Sequence, residues 1–173
     1  MLDLPTYDPA AVAPLRDELT TVGFRELLTP ESVEETFSQN DKTILLVVNS
    51  VCGCSAGSSR PGVCASLQNK LIPDDLVTAF AGQEKSSLNV IRQKYLSQFQ
   101  PSSPFIALFK GSEVLFALER FDIQSMDAEE VSANCVKAYE EHCTKTGPSI
   151  SAEDYAKLDH TIMCGSNVKP FQG

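Results

Sequence analysis

Thr43 to Asn49 reads Thr-Ile-Leu-Leu-Val-Val-Asn, an apolar and β-branched run closed by polar residues at both ends. A run of this length is a strand buried on both faces, the kind found in parallel pairs. It delivers the chain straight into Ser50-Val51-Cys52-Gly53-Cys54, a turn rich in small residues, with helix-period apolar positions resuming at Val63. A strand that empties into a helix across a cysteine turn strongly limits the possible folds. In open α/β sheets, ligands and reactive groups gather at the carboxyl ends of the strands.

Around this unit the other elements fall into order. Pro9 to Val22 carries Val12, Leu15, Leu19 and Val22 at spacings of three and four. This predicts an amphipathic helix, with Pro14 marking the start of its regular part and Gly23 its stop. Phe24 to Leu28 is a short strand candidate. Thr29-Pro30-Glu31 opens a helix, with a hydroxyl N-cap, proline at the first position and an acid in the first turn, and the helix runs to about Gln39. Gly57 to Leu71 is predicted as a helix kinked near Pro61. Leu76 to Ala81 is a second strand and Ser86 to Phe99 an amphipathic helix. Pro104 to Lys110 and Glu113 to Glu119 are strands separated only by Gly111-Ser112, the signature of an antiparallel hairpin with a II′ turn. Asp127 and Glu130 form a capping pair for a last helix with Val131, Cys135, Ala138 and His142 on its inner face. Ser151 to Asp154 caps one further short helix.

A βαβ crossover followed by a hairpin and a closing helix specifies an α/β fold: a thioredoxin-like three-layer sandwich, a mixed central sheet with helices on both faces and an extra N-terminal helix. The expected division is a thioredoxin-like domain over residues 1–146 and a C-terminal extension over 147–173.

Charge narrows the partners. The formal net charge of −9, with lysines and arginines scattered singly, leaves no electrostatic footprint for nucleic acid or an anionic membrane. No apolar stretch approaches the ~20 residues of a spanning helix. Met1-Leu2-Asp3-Leu4-Pro5 lacks the basic and apolar regions of a signal peptide, so cytoplasm is the expected compartment. There the six cysteines are expected as reduced thiols that serve catalysis, metal binding or packing.

Cys52 is the candidate nucleophile. A helix N-terminus offers free N–H groups and partial positive charge, which favour the reactive thiolate. The competing reading is a small buried apolar residue. Cys54 is the candidate resolving thiol. Cys-Gly-Cys is one residue tighter than the usual redox pair, and a disulfide closed across it is expected to be strained and easily reduced. Pro104, after Ser102-Ser103, is either an ordinary strand-opening proline or a cis residue aimed at the Cys52 turn. Arg60 either lowers the thiol pKa or holds a substrate carboxylate, or else is simply solvated. Arg120 has the same readings. Cys64 and Cys135 are expected in the core, Cys143 exposed and inert, and Cys164 a bystander in the tail. In a different class, Cys52, Cys54 and Cys64 are three thiolates for a metal or iron–sulfur centre, although Cys-x-Cys is not the usual structural-zinc spacing. A general disulfide reductase or isomerase and a non-catalytic interaction module complete the alternatives.

Several separated motifs agree in order and spacing with one family. Val47 to Cys54, Ser59-Arg60-Pro61, Phe80-Ala81-Gly82-Gln83, Pro101-Ser102-Ser103-Pro104, Ala107 to Gly111 and His142-Cys143 make residues 8 to 143 resemble the bacilliredoxins. The resemblance implies removal of bacillithiol from mixed disulfides on cytosolic client proteins, with no resident cofactor and bacillithiol as co-substrate. It implies that Cys52 attacks, that Cys54 is of secondary importance, and that Pro104 is the cis-proline against the active cysteine. By this assignment Arg60, Ser103 and Pro104 form the substrate-binding set. The chain departs from the family in its segment beyond Thr144 and in Arg120-Phe121, where the family often shows Arg-His.

Overall fold

The computed structural model describes residues 3–160 and 167–173. Its centre is a five-stranded mixed sheet in the order β1 (Arg25–Glu26), β4 (Asp75–Phe80), β2 (Thr43–Asn49), β5 (Phe105–Lys110), β6 (Glu113–Leu118). β1, β4 and β2 run parallel, and β5 and β6 run antiparallel to their neighbours. A two-residue ribbon of β3 (Leu71–Ile72) and β7 (Lys145–Thr146) lies apart from it. Helices cover both faces, and the architecture is thioredoxin-like.

The alternation of β2 builds the layers. Leu45 and Val47 face a core shared with α1 (Pro9–Thr20), α3 (Arg60–Ser66) and α6 (Ala128–His142). Ile44, Leu46 and Val48 face the opposite core, with α2 (Pro30–Phe37) and α4 (Lys85–Val90). All seven residues of β2 are buried, and each large apolar side chain removed from water contributes about 1.5–3 kcal/mol.

Local chemistry explains the boundaries. In α2 the Thr29 hydroxyl accepts the Ser32 N–H while the Ser32 hydroxyl accepts that of Thr29, a reciprocal cap. Asp127 and Glu130 do the same for α6. Gly111 takes φ +58°, as the first position of a primed turn requires, in the hairpin between β5 and β6. Ser151 caps α7 (Ala152–Tyr155).

Some expectations are corrected. α1 starts at Pro9, not Pro14, because the Asp8 carboxylate caps Ala10 and a proline in the second turn loses only one internal bond. The helix expected over Gly57 to Leu71 with a kink near Pro61 is instead a π-helical turn, Ser55–Ser59, with Arg60 N–H on the Ser55 carbonyl, followed by α3, which takes Pro61 in its first turn and ends at Ser66, leaving Leu71 to β3. A second π-helical turn, Ile91–Tyr95, continues α4. The hairpin is followed by a short helix, α5 (Arg120–Ile123), which no sequence pattern announces. On α6 the inner face is completed by buried Tyr139 rather than by His142, which is exposed. Cys143 is buried too, contrary to expectation, because it joins the core cluster that holds Ile72, Leu76, Ala138 and Tyr139.

The described parts of the segment beyond residue 147 pack against the rest. Ser149 N–H bonds the Leu67 carbonyl, Val168 is buried among Val12, Leu15, Val51 and Phe80, and Pro170 bridges Tyr7. Cys164 lies outside the described residues.

Candidate functional site

β2 ends at Asn49, and the helical run that leads into α3 begins at Gly53. Cys52 sits at the join, as the cap of that run: its carbonyl accepts the N–H groups of Ser55 and Ala56. The Ser50 hydroxyl and the Ser55 N–H beside its sulfur favour the thiolate. Its own N–H donates to the Ser50 Oγ at 3.1 Å. Cys52 and Cys54 are free thiols with sulfurs 2.8 Å apart.

The two thiols are driven apart in acidity. For Cys52, half-burial pushes the pKa up, but hydrogen bonds from Cys54, Ser50 and the Ser55 N–H, with the Arg120 charge, outweigh it and hold the thiol below its ordinary value. For Cys54, burial and then its role as hydrogen-bond donor to Cys52 push the pKa up to about 11. One sulfur is prepared to be a thiolate and the other to remain its proton donor.

Cys52 opens into a hollow of about 500 Å³. Thr6, Tyr7, Ser50 and Gly82 line it from one side, Ser103 and Arg120 from the other. Ser103–Pro104 is a cis peptide bond. Ser103 faces the hollow, and Pro104 behind it is buried. Arg120 Nη1 donates to the Ser103 carbonyl at 3.2 Å, which ties the one exposed cation in the lining, among the described residues, to the proline loop.

Arg60 is not where the sequence suggests. It is neither solvated nor open to a substrate: its side chain is 1% exposed, and Nε donates to Glu18 Oε2 at 2.8 Å. Its Nη1 reaches the Ser50 carbonyl at 2.8 Å, Ser55 Oγ at 3.0 Å and Asn49 Oδ1 at 3.1 Å. It therefore braces the Cys52 turn from beneath, while Arg120 supplies the cation at the surface. Cys64, the third thiolate of the metal alternative, is buried, donates to the Glu18 carbonyl at 3.4 Å, and has its pKa pushed up to about 12 by burial. Among the described residues no three His, Cys, Asp or Glu side chains converge on a metal position. No helix among them is long and apolar enough to cross a membrane.

Sequence reasoning missed Thr6, Tyr7 and Gly82 in the lining, and Glu18 beneath it. Glu18 had a signal: it stands three residues after Leu15 on the inner face of α1, where an acid needs a partner. Thr6 and Tyr7 had none, since their place depends on pairing with residues near the opposite terminus.

A dithiol at the end of a central parallel strand, capping a helix beside a cis-proline loop, defines a thiol–disulfide oxidoreductase of thioredoxin-like fold. Comparison with known proteins narrows it. A family described as disulphide isomerase matches residues 7–143. A bacilliredoxin of Salinibacter ruber is 37% identical over 167 residues, 96% of this chain and 97% of its own length. One from Halalkalibacterium halodurans is 47% identical over 137 residues, 79% of this chain and 94% of its own, and one from Shouchella clausii 45% over 139 residues, 80% and 95%. The chain belongs to the bacilliredoxin family.

Proposed function

We propose that this protein removes bacillithiol from mixed disulfides on client proteins, with Cys52 as the nucleophile. The observation that carries this reading is the Cys52 thiol, open to the hollow and 2.8 Å from the Cys54 sulfur; three relatives called bacilliredoxins point to the thiol. The Cys52 thiolate attacks the bacillithiol sulfur of the mixed disulfide. The Cys52–bacillithiol S–S bond forms, the old S–S bond breaks, and the client sulfur leaves as a thiolate that takes a proton from water. Bacillithiol is then released in one of two ways. A second bacillithiol thiolate attacks its sulfur, which gives bacillithiol disulfide and regenerates the Cys52 thiolate. Alternatively Cys54, once deprotonated, attacks Cys52 Sγ, closing the Cys52–Cys54 disulfide and releasing free bacillithiol. Rates follow thiolate fraction, leaving-group pKa and access. The acceptor side is the Arg120 guanidinium with Ser103, suited to a carboxylate-bearing small thiol. A reducing cytoplasm is the compartment in which such a dithiol stays free.

Incubation with a bacillithiolated client followed by intact-mass measurement tests this. An adduct of bacillithiol mass on the wild type, absent from Cys52→Ala, is expected; no wild-type adduct, or an undiminished one in the variant, rejects it.

A second reading, general disulfide reduction or isomerisation, is favoured by the proximity of the Cys54 sulfur, which allows an internal disulfide to close. Reduction of insulin by the wild type but not by Cys54→Ala, with no debacillithiolation by either, selects it.

A further inference from the structure

The carboxylate of Glu18 is buried, with its side chain 2% exposed, and both of its oxygens are taken. Oε2 accepts Arg60 Nε at 2.8 Å, and Oε1 lies 2.7 Å from Nδ1 of His160. His160 belongs to the C-terminal segment, beyond the reach of the family match at residue 143. From Glu18 the line continues inward. Arg60 Nη1 grips the Ser50 carbonyl, Ser55 Oγ and Asn49 Oδ1. Asn49 in turn accepts the Ser50 N–H at 2.9 Å and the Ser55 hydroxyl at 3.3 Å, and its amide donates to the Leu15 carbonyl. Ser50 and Ser55 hold the Cys52 turn: Ser50 Oγ accepts the Cys52 N–H at 3.1 Å and the Ser55 N–H donates to the Cys52 carbonyl at 3.1 Å, and both residues favour the thiolate.

We propose that Glu18 and His160 are positioning residues of the Cys52 site: through Arg60 they hold Ser50 and Ser55 against the Cys52 turn, so the segment that carries His160 sets the reactivity of the Cys52 thiol. A buried ion pair is sound only when its remaining lone pairs and protons are satisfied. The His160 ring satisfies the oxygen of Glu18 that Arg60 Nε does not take. Without it, Glu18 has reason to turn toward solvent, and the guanidinium that aligns both serines loses its anchor. A sub-ångström drift is enough, since hydrogen bonds weaken steeply away from their preferred geometry.

A second contact of the same segment points the same way. Val168 shares a buried cluster with Val51, the residue before Cys52, and with Val12, Leu15 and Phe80. The backbone of residues 169–171 bonds Thr6 and Asp8, which holds Thr6 and Tyr7 at the rim of the hollow. The C-terminal segment thus supports the Cys52 turn from below and one wall of the hollow from the side. The match to the Salinibacter ruber relative, at 96% of this chain, extends into this segment.

The inference rests on Cys52 as the nucleophile, and one experiment separates the two. Peptide-resolved iodoacetamide alkylation of Cys52 is followed against pH in the full-length wild type, His160→Ala and His160→Gln. The titratable and charged groups around the sulfur are Cys54 and Arg120, and those of the line are Glu18, Arg60 and His160; only the last is changed. In His160→Ala the alkylation midpoint is expected to rise by about half to one pH unit, which slows alkylation at neutral pH roughly three- to tenfold. Exchange of the Ser55 amide is expected to quicken while β2 and β5 stay protected. His160→Gln, which keeps a donor for Glu18, is expected to recover most of both. If His160→Ala does not unfold cooperatively, His160→Asn takes its place under the same outcomes. A folded variant with the wild-type profile overturns the inference. An ordinary, unreactive Cys52 in the wild type overturns the catalytic reading itself.

Discussion

The sulfurs of Cys52 and Cys54 stand 2.8 Å apart, and their surroundings oppose, lowering the pKa of Cys52 and raising that of Cys54. Burial acts on both thiols in the same direction; what separates them is that Cys52 receives donors from Cys54, Ser50 and Ser55 while Cys54 gives one. At neutral pH a limiting dose of iodoacetamide should therefore label Cys52 and spare Cys54, Cys64, Cys135 and Cys143, as read by peptide mass. Preferential labelling of Cys54 would refute the assignment of roles.

Cys54→Ala should have two opposite effects. It deletes a hydrogen bond to the Cys52 thiolate, so the Cys52 pKa rises and first attack slows, by roughly tenfold at most for a half-exposed pair. It also deletes the internal resolving group, so the adduct on Cys52 should last longer when no small thiol is supplied. Stopped-flow thiolate absorbance reads the first effect, and timed intact-mass spectra read the second.

Arg120 acts on Cys52 through charge alone. It is exposed, so its field is screened by salt. Arg120→Ala should slow alkylation of Cys52 by roughly two- to fivefold at low ionic strength, with the gap to wild type closing near 1 M salt, where the Debye length is about 3 Å. Arg120→Lys should keep the charge effect but lose the hold on the Ser103 carbonyl, so KM for a carboxylate-bearing mixed disulfide should rise more than kcat falls. An Arg120→Ala gap that persists in high salt would point to a structural role.

Buried thiols also set the alkaline limit of the fold. Burial pushes Cys64 and Cys135 up to about 12, and burial with donation to Cys52 pushes Cys54 up to about 11. In the unfolded chain these thiols ionise near their ordinary value. As pH rises past that value the unfolded state releases protons that the native state retains, so stability falls with pH until the folded values are reached. Urea midpoints should decline from about pH 9 upward, and Cys135→Ala, although less stable at neutral pH through its cavity, should decline less steeply. A flat profile between pH 9 and 11 would contradict the buried placement.

The legible parts of this molecule are those where the deciding interactions are local. β2 announces itself through seven consecutive residues, α2 and α6 through caps that close within three residues, and the hairpin through a glycine that must take positive φ. Cys52 and Cys54 are legible for the same reason, since the strand, the turn and the helix start are neighbours in the chain. Arg60 is the opposite case. Its neighbours suggest an exposed group beside the thiols, but its position is decided by Glu18, 42 residues away. β3 and β7 have two residues each and exist only because they meet. Cys143 sits at a helix end where exposure is the reasonable guess, and the core cluster with Ile72 and Leu76, about 70 residues away in the chain, takes it in. Each of these depends on a partner distant in sequence, and no local propensity encodes that.

Gly62 offers a test of the packing that carries the Cys52 helix. It lies on α3 where that helix crosses α6, and a Cβ there would stand 2.7 Å from the Ala128 carbonyl oxygen and from Val131 Cβ. Its value is close approach, not unusual backbone freedom. By helix propensity alone Gly62→Ala should stabilise by about 0.5–1 kcal/mol. By contact it should destabilise, because the obstruction includes main chain that cannot step aside, at a cost of about 1–3 kcal/mol for overpacking. The contact should win, so the urea midpoint should fall. Because α3 follows directly from the Cys52 turn, a forced shift of α3 against α6 should also slow Cys52 alkylation, whereas a helix stabilised in place should leave it unchanged. Chemical denaturation and alkylation of the same variant decide between the two signs.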